Sequence, residues 1–286
     1  MATIVGGIGT THVPSIGKAI AEGKQDDPYW RPFFKGFDYV HYWLTRTKPD
    51  VAVVFYNDHG LNFFLDKLPT FAVGAGAEYR SEDEGWGIPV SRPIPGDADL
   101  SWHLINTLVA DEFDVTTCQD MLIDHAVTIP MALMWPSAAC SDQPWPVRIV
   151  PVEINTVQHP LPSMARCLKL GRAIGRALET YPRDLRVAVV GTGGLSHQLD
   201  GTRAGFVNKE FDALCPQQDR GRAGSTRALL DPRIGGIVGI TGRRISQLDG
   251  DARRSDRTRE RTQPQLSHSH LEYGGGDGRL RQPNDR

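Results

Sequence analysis

The sequence predicts an α/β fold: one domain on a mostly parallel central sheet, flanked by helices on both faces, followed by an aberrant C-terminal tail. Three observations predict it. Short apolar runs rich in β-branched residues alternate with stretches of helical periodicity. The runs stop abruptly in polar side chains and glycines, as strands do where a parallel sheet opens onto a site. The composition changes after Phe211, which bounds the domain to residues 1–211 and sets 212–286 apart. A chain of 286 residues is long enough to bury a large α/β core.

Taken in order, residues 3–9 read as a first strand and Thr10-Thr11-His12-Val13-Pro14 as the loop after it. Residues 28–48 place Trp30, Phe33, Phe34, Phe37, Val40 and Trp43 at spacings that suit one helix with a broad apolar face. Val51-Ala52-Val53-Val54-Phe55-Tyr56 is the clearest strand: it is continuously apolar, as a strand covered on both faces must be. It ends in Asn57-Asp58-His59, with Gly60 allowing a tight turn. Phe71-Ala72-Val73-Gly74 reads as another short strand, and residues 82–96 as a long loop of the kind that covers a site. Residues 97–111 form a helix with Leu100, Leu104, Ile105 and Leu108 on one stripe. His103 lies off its centre and reads as an ordinary helix histidine. Asp124-His125 opens an apolar run over 122–134. Residues 146–155 and 185–190 are strands on either side of a patterned helix at 163–180.

Composition narrows the function classes. A net charge of −2 favours neither nucleic acid nor an anionic membrane as partner. No run approaches the ~18 apolar residues of a membrane span, and the N-terminus starts on a strand pattern rather than a leader. Cys118, Cys140, Cys167 and Cys215 are widely spaced, which argues for free thiols in the cytoplasm over a zinc ribbon or a disulfide framework.

Four histidines stand at comparable punctuation: His12, His59, His125, and His197 after Gly191-Thr192-Gly193-Gly194-Leu195-Ser196. Any one of them alone is more simply a hydrogen-bonded loop histidine. Four together point to loops converging on one metal site. Two imidazoles and a carboxylate leave positions open on Fe(II) for an organic ligand and dioxygen. Asp58 and Asp124 are the acids nearest these histidines, and spacing does not choose between them. The glycine turn before His197 lacks both GxGxxG and GK[ST], so a phosphate cradle is a weak reading. Zinc-dependent hydrolysis is a further reading of such a histidine-rich site.

Five stretches carry a resemblance: Gly6-Gly7-Ile8-Gly9-Thr10-Thr11-His12-Val13-Pro14, Phe55-Tyr56-Asn57-Asp58-His59, Asp83-Glu84-Gly85-Trp86-Gly87, Asp124-His125, and Gly191-Thr192-Gly193-Gly194-Leu195-Ser196-His197-Gln198. Together they resemble the class III extradiol ring-cleavage dioxygenases, the family of the catalytic β subunit of protocatechuate 4,5-dioxygenase and of gallate and methylgallate dioxygenases. The resemblance runs from Met1 to about Phe211. It implies Fe(II) held by His12 and His59, His197 as the acid/base that handles the diol proton, and His125 lining the pocket. Asn57 and Asp58 would support the ligand loop. It further implies a catecholic acid and O2 as substrates, a semialdehyde acid of the 4-carboxy-2-hydroxymuconate type as product, and a small helical α subunit in an α2β2 assembly. A non-enzymatic relative that acts by binding is the alternative.

The tail departs from this pattern. The family's third ligand is a glutamate downstream of His197, in a segment with Trp and then Met-Arg-Gly, and no such segment follows here. From Pro216 onward there are fourteen arginines, no lysine, and Tyr273 as the one aromatic residue. Permitted codons for 243–253, shifted by one base, read Gly-Glu-Tyr-Arg-Ser-Trp-Met-Ala-Met-Arg-Gly. The same shift over 267–277 permits Ala-Thr-Ala-Thr-Trp-Asn-Thr-Ala-Ala-Ala-Met. The tail therefore reads as out-of-frame translation, disordered and without a core of its own, with a basic interaction tail as the rival. As written, the chain is expected to be impaired by the missing ligand.

Overall fold

The computed structural model describes residues 1–82, 84–194, 202 and 206–210. Six strands form the central sheet: β1 (Thr3–Thr10), β2 (Val51–Tyr56), β3 (Phe71–Gly74), β6 (Thr116–Cys118), β7 (Arg148–Ile154) and β8 (Arg186–Thr192). Their order is β1-β8-β2-β7-β3-β6. Every neighbouring pair is parallel except β3 with β7. A separate two-stranded ladder joins β4 (Glu78–Tyr79) to β5 (Ile94–Pro95). The expected mostly parallel α/β domain is what the chain forms.

Helices cover both faces, and the alternation along β2 shows how. Val51, Val53 and Phe55 point into one core layer, with Leu100, Leu104 and Leu108 of α4 (Ala98–Ala110) and Leu170, Ile174 and Leu178 of α7 (Met164–Thr180). Ala52, Val54 and Tyr56 point into the other, with Ala126, Val127, Met131 and Met134 of α5 (His125–Met134) and Leu44 of α3 (Asp38–Thr47). All six residues of β2 are buried, which is why its sequence shows no polar alternation. On the α5 side one buried residue breaks the apolar pattern. Glu153, near the carboxyl end of β7 and in register with Tyr56, is 2% exposed, and its Oε2 has no hydrogen-bond partner among the described residues.

Two helices are capped at the residues where the sequence reading began them. The Asp97 carboxylate accepts from the Leu100 amide at the start of α4, and the Ser163 hydroxyl from the Arg166 amide at the start of α7. Other expectations need correction. The single helix expected over 28–48 is two, α2 (Arg31–Lys35) and α3, separated at Gly36-Phe37. The break turns the Trp30, Phe33, Phe34 and Phe37 rings onto Ile129 and Leu133 as a third, smaller cluster, while Val40 and Trp43 pack against the sheet. A Cβ at Gly6 of β1 would overlap the Trp43 ring, so that strand depends on glycine for its close approach to α3. Three further helices and the short strand β6 complete the domain: α1 (Pro14–Ala21), a 3-10 turn (Lys24–Asp26) and α6 (Pro136–Cys140). The tail expected over 212–286 lies outside the described residues. Among the described residues no helix is long and apolar enough to cross a membrane, and Cys118 and Cys140 are free thiols.

Candidate metal centre

Three of the four predicted histidines meet at the carboxyl end of the sheet. His12 lies in the short link between β1 and Pro14, the proline that opens α1. His59 follows β2 by way of Asn57 and Asp58, and Gly60, with φ +88°, turns the chain away. His125 is not a strand-end residue: it is the first residue of α5, directly after the N-cap Asp124. The ring centroids of His12 and His59 are 5.1 Å apart, those of His12 and His125 5.4 Å, and those of His59 and His125 4.2 Å. One potential ligand atom from each of the three lies within 4.8 Å of the others. His197 falls outside the described residues, so its place in this group is not defined.

Each imidazole is held by an oxygen at Nδ1. His12 Nδ1 is 3.1 Å from the Thr192 hydroxyl, which the parallel register of β1 and β8 brings alongside by pairing Thr10 with Thr192. His59 Nδ1 is 2.9 Å from Asp124 Oδ2, and the His59 backbone N–H donates to the same oxygen. His125 Nδ1 is 2.8 Å from Glu84 Oε1 and 3.0 Å from Oε2, and its backbone N–H also donates to Glu84. Such partners fix which ring nitrogen carries the proton and where the other one points. The set of three imidazoles with carboxylates behind two of them fits a divalent cation.

The two acids that spacing could not separate have distinct roles. Asp58 turns its carboxylate onto its own loop, accepting from the amides of Gly60, Leu61, Asn62 and Phe63 and from the Asn62 side chain. Asp124 is 1% exposed and shares its oxygens between His59 and the Ala126 amide. It positions an imidazole and caps a helix with one side chain. The Asn57 amide donates to His59 Nε2 at 3.1 Å. His103 stands apart from the site: its Nε2 bonds the Ala177 carbonyl at 2.8 Å, tying α4 to α7.

Burial pushes His12 well below the ordinary imidazole value, and the neighbouring His59 and His125 rings push the same way. Burial acts on His59 too, but the hydrogen bond and charge of Asp124, joined by Glu84 and Asp58, outweigh it and raise that ring. Burial raises the Asp124 carboxyl, with His59 pulling against it. His12 is thus held neutral, as a cation's ligand must be.

Glu84, Thr192 and Trp86 were not singled out from sequence as site residues. Glu84 and Trp86 stand in the Asp83-Glu84-Gly85-Trp86-Gly87 stretch, and Trp86, 49% exposed, sets its ring 6.3 Å from that of His125. An acid and a rigid aromatic inside a glycine-rich loop were the available signal.

The family described as the catalytic LigB subunit of aromatic ring-opening dioxygenase matches residues 6–218. The chain belongs to the LigB family. Among curated proteins it is 47% identical over 131 residues to a gallate dioxygenase of Pseudomonas putida, covering 46% of this chain and 37% of that protein. It is 34% identical over 165 residues to a 2,3-dihydroxyphenylpropionate/2,3-dihydroxicinnamic acid 1,2-dioxygenase of Photorhabdus laumondii, covering 57% and 48%. A protein of the same description from Cupriavidus necator is 34% identical over 150 residues, covering 52% and 44%. The matched stretches thus span less than half the length of each of these relatives.

Proposed function

We propose that this LigB-family chain opens the ring of a catecholic acid beside its two adjacent hydroxyls, with O2 as co-substrate and a divalent metal, Fe(II) in the first instance, held by His12 and His59. The observation that carries this reading is the convergence of imidazoles from three separate segments at the open end of a parallel sheet, each anchored through Nδ1. A metal bound there would supply a Lewis acid for the diol and a seat for dioxygen.

The chain's own residues divide the remaining work. His12, kept neutral by burial, and His59, oriented by Asp124, present nitrogen donors. Asn57 and Asp58 hold the His59 loop in shape. His125, backed by Glu84 and flanked by Trp86, forms a wall of the site. His197 takes the diol proton and returns it later, a task suited to an imidazole that titrates near neutrality. The product is a semialdehyde acid of the 4-carboxy-2-hydroxymuconate type when the substrate is protocatechuate. Similarity to a gallate dioxygenase makes gallate the second substrate to assay. The description of the matching family as a catalytic subunit supports a partner subunit; a small helical α chain in an α2β2 assembly is what the resemblance implies for that partner. Free thiols at Cys118 and Cys140 suit a cytoplasmic setting.

The residues after Phe211 belong to this reading as out-of-frame translation of a segment that would have supplied a glutamate ligand. The nucleotide sequence past the Phe211 codon tests this directly. If the shifted frame contains no glutamate followed by Trp and Met-Arg-Gly, the frameshift is wrong.

The activity is tested by oxygen uptake after anaerobic loading with ferrous iron, with protocatechuate and gallate in parallel. The chain as written should turn over slowly and the frame-restored protein rapidly, and His59→Ala should abolish uptake in both. No uptake by the frame-restored protein with either acid, or uptake unchanged in His59→Ala, would overturn the proposal.

A further inference from the structure

At the amino end of the sheet, opposite the histidines of the metal centre, the chain leaves a cavity of about 660 Å³. That volume suits a small molecule, and His12, His59 and His125 take no part in the lining. The apolar lining is Leu44 of α3, Met134 and Trp135 at the end of α5, and four prolines. Lys48, Asp50 and Arg186 supply the formal charges. We propose that this cavity binds a small aromatic carboxylate, its ring packed against Trp135 and the prolines and its carboxylate on Lys48. The proposal stands independently of the metal centre.

Charge complementarity carries the argument. Among the described residues Asp50 is the one acid in the lining, and both its oxygens are taken by Arg186. That pair is neutral as a unit. Lys48 has no acidic partner among the described residues, so the lining keeps one uncompensated positive charge beside apolar surface. A carboxylate on a planar ring matches both: a charge-assisted hydrogen bond for the ammonium, and a flat apolar body for an indole and proline rings.

The backbone at Lys48 points the same way. Lys48 ends α3 in the left-handed region, with φ 42° and ψ 65°, and its N–H donates to the Leu44 carbonyl. Glycine adopts that conformation with the least strain. Lysine at this position places a cation in the cavity lining against the backbone's preference, and strain of this kind collects at binding sites.

The walls are set before a ligand arrives. His41, also in the lining, donates from Nε2 to the Leu133 carbonyl at 2.8 Å and fastens α3 to the end of α5. Arg92 Nη2 donates to the carbonyls of Ala138 and Gln143, which ties α6 to the loop after it. The prolines hold their own φ angles fixed. A cavity shaped in advance spares the ligand the cost of ordering it.

The test is a titration of the full-length chain with benzoate, an aromatic carboxylate without a diol. Binding is read by calorimetry and by melting temperature, with far-UV circular dichroism to report folding. Wild type should bind benzoate and melt higher in its presence. Lys48→Gly relieves the backbone, so without ligand it should melt at the same temperature or higher, while its affinity for benzoate falls about tenfold. Trp135→Leu keeps an apolar side chain and should weaken binding severalfold. Benzamide, the uncharged analogue, should bind wild type about tenfold more weakly than benzoate. His59→Ala should bind benzoate as wild type does. No binding by wild type, unchanged affinity in either Lys48→Gly or Trp135→Leu, benzamide bound as tightly as benzoate, or binding lost in His59→Ala would each overturn the proposal.

Discussion

Two carboxylates sit at opposite ends of the central strands, and each holds a basic group. At the amino end Asp50, just before β2, receives the backbone amide and the guanidinium of Arg186 at the start of β8, with contacts of 2.8, 3.2 and 3.3 Å. At the carboxyl end Asp124 receives the backbone amide and the ring of His59. The grips look alike, but the surroundings differ. The side chains of Asp50 and Arg186 are 35% and 48% exposed. The side chains of Asp124 and His59 are 0% and 23% exposed. Arg186 cannot give up its charge, so the first pair only fastens two strands. An imidazole with Nδ1 fixed still carries a second nitrogen, here facing the Asn57 amide, so the second pair orients a ring instead of only fastening two segments. The same contact fastens strands where solvent reaches it and fixes the direction of a ring where the carboxylate is buried.

Asp124→Ala breaks the comparison most severely. It leaves buried N–H donors without an acceptor and removes the cap of α5, so urea unfolding should show a loss of about 2–3 kcal/mol. Metal affinity should fall about 10–100-fold as His59 loses its orientation, read by dialysis. If stability falls but affinity does not, Asp124 is only a cap.

Glu153 tests what a buried acid does with no base beside it. Burial, reinforced by Asp58 and Asp124, raises its carboxyl well above the ordinary 4.5. A folded value above the unfolded one means that folding takes up a proton. The penalty for burying this group is therefore absent below about pH 4.5 and grows as pH rises toward the folded value. Glu153→Gln should raise stability at pH 7 by on the order of 1–2 kcal/mol and by almost nothing at pH 4, measured by chemical denaturation at both values. Equal gains at both pH values would sink this account.

His103→Ala removes a histidine bonded to a carbonyl rather than to an acid. It should cost about 0.5–1.5 kcal/mol in unfolding and leave metal binding unchanged. Asp50→Asn is the mildest change, under about 1 kcal/mol, because solvent screens the pair. Here the hydrogen bond from Arg186 holds the carboxyl below its ordinary 3.8 against a smaller opposing effect of burial. The contribution is fully present above that value and is lost as pH falls through the folded value, so wild type and variant should converge at strongly acid pH. A difference that persists there would mean the backbone contact, not the charge, does the fastening.

Much of this was legible residue by residue. The unbroken apolar run of β2 could only be a strand covered on both sides, and its polar end could only be a mouth, so His59 was found from pattern. His12 followed from the same logic after β1. His125 was found beside Asp124 but grouped with the loop histidines, because an Asp before an apolar run marks a loop as readily as a helix start. The 28–48 segment was read as one helix because ring spacing alone does not show a break at Gly36-Phe37. Glu84 was not picked out as a partner for His125, since nothing in a loop sequence says which distant side chain it will meet.

What the sequence by itself determined is the succession of strands and helices and the family they belong to, because periodicity, glycine turns and short motifs are local properties of the chain. Only the tertiary structure decided that Asp124 grips His59, that Glu84 grips His125 and that Thr192 stands beside His12. Those pairings depend on strand register and on the path of a loop across the sheet, and both are settled by packing between segments far apart in sequence.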